Sequence, residues 1–132
     1  MTRRLSIVLL MGLLASILAA CSSGSGVVKD VDSAMRQVPG VVTTATTYKN
    51  SAGMSTSMGV RVTAAPDADL KTVLDGTLRA FAKSSGSAKG TISVAFYVFT
   101  DGAEKNGIGP EAYGMSVSPS VDEIREFASS GK

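Results

Sequence analysis

The sequence predicts an α+β fold: a two-layer sandwich with helices on one face of a mostly antiparallel sheet of about four strands, in the order αββαββα. Three observations carry this reading. Met54, Thr56, Met58, Val60 and Val62 alternate with Ser55, Ser57, Gly59, Arg61 and Thr63, the period of a strand with one buried face. Leu70, Val73, Leu74, Thr77, Leu78 and Phe81 recur at helical spacing. The run TISVAFYVFT, residues 91–100, is almost continuously apolar, as in a central strand. Amphipathic helices need an apolar surface to cover, and a sheet supplies one.

The elements follow in order. Val27, Val28, Val31, Met35 and Val38 fall at helical spacing, and Pro39-Gly40 stops that helix. VVTTATTY, residues 41–48, is β-branched and extended. It pairs with the alternating run after the turn-forming KNSAG, so a hairpin is expected. Pro66-Asp67 opens the next helix, with Asp67 as its cap. Asp67, Lys71, Asp75 and Arg79 step down its other face and read as a solvated, ion-paired stripe. Residues 84–90 are a Ser/Gly connector to the third strand, and residues 101–110 a glycine-bearing loop. Residues 112–117 read as a weaker fourth strand. Ser120 and Glu123 form a capping-box pattern before Val121, Ile124 and Ala128, which predicts a short final helix.

Ahead of this domain, residues 1–20 have a different composition. Met-Thr-Arg-Arg is basic, and Ile7 to Ala20 is nearly all apolar before small residues appear, the n, h and c regions of a secretory signal peptide. The run is shorter than the roughly 20 residues of a membrane span. Leu18-Ala19-Ala20-Cys21 resembles the lipobox of bacterial lipoproteins. The resemblance implies cleavage before Cys21 and diacylglyceryl (palmitate-type) lipidation of its thiol. That would anchor the chain on the extracytoplasmic side of the cell membrane. Two acyl chains hold a protein stably, whereas one is marginal. Residues 21–26 then read as lipidated cysteine plus Ser/Gly tether, and residues 27–132 as the single domain.

Composition narrows the chemistry. The chain has 13 basic residues and 11 acidic ones; losing Arg3 and Arg4 with the leader leaves 11 against 11. No basic stripe remains for phosphates, so no nucleic-acid partner is expected. The absence of His removes Ser-His-Asp and Cys-His mechanisms, and Cys21 has no second thiol to pair with. Ser129 to Lys132 fits S-x-x-K formally, but at the very end of the chain it reads as coincidence. No cofactor and no resident metal are expected. Asp101, Glu104, Asn106 and Glu111 are oxygen donors for a hard cation, yet their spacing matches no calcium loop, and a polar connector is the preferred reading.

The strand at residues 91–100 offers the better functional hint. Val94, Phe96 and Val98 alternate with Ala95, Tyr97 and Phe99, so both its faces are apolar. If every helix lies on one face, Ala95, Tyr97 and Phe99 form an outward patch for a partner protein or lipid. Otherwise the last helix or a long loop covers them, which is the preferred outcome. The elements from residue 27 to 100, with VPGV after the first helix, resemble the BON-type envelope domain in topology. The expected function is noncatalytic binding or scaffolding in the bacterial cell envelope. The alternative is a small envelope hydrolase working through carboxylates or a serine.

Overall fold

The first helix, α1 (Ser23–Arg36), buries Val27, Val31 and Met35 on one stripe. In the computed structural model, which describes residues 23–51, 55–86 and 88–130, it begins inside the stretch read as a tether. Cys21 and the leader lie outside the described residues. Strands β1 (Val41–Ser51) and β2 (Ser55–Ala64) form the expected antiparallel hairpin. Helix α2 (Leu70–Ser84) then crosses over, and β3 (Ser93–Thr100) joins β2 in parallel. Strand β4 (Ala103–Ile108) returns antiparallel beside β3. The open sheet has the order β1-β2-β3-β4, with two of its three pairings antiparallel. Helix α3 (Val121–Ser129) follows a short 3-10 turn at Pro110–Tyr113. The fold is the α+β arrangement expected, with the helices packed on one side of the sheet.

Three local expectations are corrected. The segment read as a loop, residues 101–110, is a tight turn at Asp101–Gly102 followed by β4. Asp-Gly serves as the hairpin turn, with Gly102 at φ 86°, and the edge strand forms without a β-branched run. The strand expected at residues 112–117 is instead the 3-10 turn and irregular chain, because Pro110 presets a helical φ at its first position. The cap of α2 is Asp69, not Asp67: its carboxylate accepts from Thr72 Oγ1 at 2.7 Å and Thr72 N at 3.2 Å. Those bonds hold the Asp69 carboxyl below its ordinary value.

The core lies between helices and sheet. Met58, Val60, Val62, Val94, Phe96 and Val98 alternate inward and meet Leu74, Leu78 and Phe81 from α2. Phe81 and Phe96 meet edge to face at 6.0 Å. Polar contacts fix α1 to the edge of the sheet. Thr44 and Thr46 on β1 both donate to Asp32 Oδ1, at 2.6 and 2.9 Å, and Arg36 pairs with the other oxygen at 2.8 Å. Arg125 of α3 donates to the carbonyls of Ser85 and Ala88, pinning the α2–β3 connection. The stripe read as solvated is half covered: Asp75 binds Arg79 at 3.1 Å, Lys71 lies over Tyr113, and Arg79 over Phe127. Burial pushes the Tyr113 phenol upward, helped by the nearby carboxylates of Asp75 and Asp69. Among the described residues, no helix is long and apolar enough to cross a membrane.

Candidate functional site

Alternation sends every second strand residue to the face away from the helices. Toward the starts of β2 and β3 that face is built from small side chains. Register places Thr47 beside Gly59 and Gly59 beside Ala95, so one row across three strands has almost no side-chain height. The next row is Ala45, Arg61 and Tyr97. The step between the rows, walled on its far side by the chain from Gly109 to Ser118, is a trough of about 420 Å³. This volume falls within the range of small-molecule sites. Ala45, Gly59 and Ala95 form its floor, Glu111 and Ser118 supply polar groups, and Val117, 72 % exposed, stands on its rim.

Arg61 and Tyr97 form the tall end of the trough. The Arg61 guanidinium lies 5.5 Å from the centre of the Tyr97 ring and 5.0 Å from that of Phe99, stacked by cation–π attraction. Its ion pair with Glu104 is long, 3.7 Å, and both side chains are more than half exposed, so it contributes little energy. Tyr97 lies across β4: its hydroxyl donates to the Glu104 carbonyl at 2.6 Å and accepts from Gly107 N at 2.8 Å. A Cβ on residue 107 would sit 2.4 Å from Tyr97 Cζ and 2.6 Å from the Val98 carbonyl, so glycine is what lets the ring lie there. Tyr97 and Phe99 in turn stack at 5.7 Å.

The three residues singled out on β3 therefore part company. Ala95 is exposed on the trough floor, Tyr97 is partly covered with its hydroxyl satisfied, and Phe99 is buried at 6 % exposure. The cover comes from neither the last helix nor a long loop, but from Arg61 and the backbone of β4. The four oxygen donors are dispersed: Asp101 in the turn, Glu104 and Asn106 on β4, Glu111 on the 3-10 turn beside the trough. Among the described residues, no three Asp, Glu, His or Cys side chains gather as a metal site. Cys21 lies outside the described residues.

Sequence reading missed Arg61 and the Gly109–Ser118 wall. Alternation puts Arg61 on the outward face, but its position beside Tyr97 depends on the parallel β2–β3 register, for which no local signal exists. No family model matches this chain, and comparison with curated proteins and with solved structures finds no match either.

Proposed function

We propose that this chain is an exported bacterial lipoprotein, anchored through acylated Cys21 on the extracytoplasmic side of the cell membrane, whose sheet face binds a partner or ligand without catalysis. The address is supported by the basic start, the short apolar run and Leu18-Ala19-Ala20-Cys21. The binding reading rests on one observation: a concave site of about 420 Å³ on the sheet face that no helix covers. Its composition suits recognition. A floor of Ala45, Gly59 and Ala95 accepts an apolar group, and Arg61 offers an anion partner at one end. A paired-carboxylate hydrolase asks for two acids across a cleft. Glu111 is the acid among the lining residues, which favours binding over hydrolysis.

Two measurements test this. Metabolic labelling with an alkyne palmitate should label the wild type and fail on Cys21→Ala; no label on the wild type refutes the anchor. A photo-reactive residue at Ala95, on the trough floor, should form adducts in intact cells, while one at Ser33, exposed on α1, should not. Equal adducts at both sites refute the trough as the contact surface.

A further inference from the structure

The β1–β2 and α2–β3 connections at one end of the sandwich differ in charge from the connections at the other. At the end where β1 finishes, β2 and β3 start and α2 finishes, the sequence has Lys49 and Lys89 and no acid in residues 49–55 or 85–92. At the opposite end the connections carry Asp67, Asp69 and Asp101, with no base in residues 37–41, 64–69 or 100–103. The start of α1 belongs to the basic end. Asp32 bonds Thr44 and Thr46, Arg36 donates to Thr44, and the chain leaving the helix after Arg36 passes Gly40, whose carbonyl accepts from Ala65 N. The start of α1 therefore lies toward the finish of β1, with Lys29 and the exposed Asp30 in its second turn. Lys83, in the last turn of α2, adds a further positive charge there; the first turn of α3 starts at this end too, and of its two acids Asp122 is paired with Arg125 and Glu123 accepts from Ser116, so the lysines leave a positive excess.

We infer that the end of the domain bearing Lys29, Lys49, Lys83 and Lys89 rests on an anionic phospholipid surface. The inference deepens the proposed anchoring and rests on it. Helix α1 begins at Ser23, so a single residue separates its first residue from Cys21. Two peptide units span at most about 7 Å, less than a Debye length at physiological salt. A domain held so close cannot stand off from the headgroups, and the end it presents is the one whose charge they attract. The acidic turns at residues 65–69 and 101–102 point away, and the strands stand upright on the membrane.

The chain has no Trp, which makes a single introduced Trp a clean reporter. Tyr48 and Val42 are both exposed positions of β1, 36 % and 49 %, six residues apart, which is about 20 Å along a strand. The full-length lipidated protein, carrying Tyr48→Trp or Val42→Trp, is reconstituted in vesicles of equal parts phosphatidylglycerol and phosphatidylcholine containing a headgroup spin-labelled lipid. Trp at 48 should be quenched at least threefold more than Trp at 42. Adding Lys49→Glu and Lys89→Glu should lower the quenching at 48, with far-UV circular dichroism confirming that the variants fold. Mass spectrometry of the same preparation separates the failures. Acylated Cys21 with equal quenching at the two positions overturns the docking alone; unacylated Cys21 overturns docking and anchor together.

Discussion

Replacing Gly107 by Ala tests whether Tyr97 is held by β4. The new methyl would sit 2.4 Å from Tyr97 Cζ and 2.6 Å from the Val98 carbonyl; the latter is backbone in the central sheet and cannot retreat. The ring must therefore swing off the strand. It would lose the bond to the Glu104 carbonyl and the one from Gly107 N, each worth about 1 kcal/mol net. Its stacking on Phe99 contributes about another 1 kcal/mol. The expected destabilisation is at least about 3 kcal/mol, which for a domain of this size lowers Tm by roughly 12–24 °C. Thermal unfolding followed by circular dichroism measures it. In a Tyr97→Ala background only the Val98 carbonyl contact remains, so the same substitution should cost about 2–3 kcal/mol less than in the wild type, the double-mutant cycle isolating the ring contact. A Gly107→Ala protein within 0.5 kcal/mol of wild type, or an equal cost in both backgrounds, refutes the packing argument.

Other predictions follow from the same structure. Ser120 accepts from Glu123 N at 3.1 Å as the cap of α3, so Ser120→Ala should cost about 1 kcal/mol and lower Tm by roughly 4–8 °C in a thermal melt. Phe81 is fully buried against Phe96, and Phe81→Ala should cost about 3–5 kcal/mol, read as a marked fall in the urea midpoint at unchanged slope. Asp69 has a folded pKa below its unfolded one because Thr72 bonds its charged form. The cap's contribution is therefore full above the ordinary Asp value and is lost as pH falls through the depressed one. Below about pH 4 the Tm of the wild type should fall more steeply than that of Asp69→Asn; parallel curves would contradict the assignment.

How far the sequence carries depends on what holds each element. Helix α2 and strands β2 and β3 are held by burial, and burial writes its period into residue order: Val73, Leu74, Leu78 and Phe81 on the helix, Met58, Val60 and Val62 on β2. Strand β4 is held differently. Its residues AEKNGI are half-exposed or exposed, and it stays in place through backbone pairing to β3 and the Tyr97 hydroxyl. Neither leaves a hydrophobic period, so Asp-Gly and Asn-Gly were the visible signals and read as loop. In α3, Ser120 caps Glu123 N as the pattern predicts. The Glu123 carboxylate, however, turns to Ser116 N and Oγ, tying the irregular wall of the trough to the helix rather than completing the box. The trough depends on inter-strand register and on that wall, both long-range, which is why alternation assigned a face but not a site.

The same alternation separates stability from recognition along each strand. Gly59 lies between Met58 and Val60, and Ala95 between Val94 and Phe96: the flanking residues carry the core, while the central ones set the depth of the trough. Substitutions on the floor therefore change the shape of the site at little cost to folding. Arg61 is the exception, because its guanidinium also roofs Phe99; removing it exposes a buried ring and alters the site's charge at once. Under the proposed anchoring, the floor lies in the membrane-proximal half of the sheet. Gly59 is four residues from the start of β2, about 13 Å at strand rise, and Ala95 two residues from the start of β3. A site at that height, opening sideways with a cation at its far end, is within reach of an anionic, partly apolar group extending from a neighbour in the same bilayer. A freely diffusing ligand gains nothing from that placement, so dependence of Ala95 adducts on Cys21 acylation distinguishes the two.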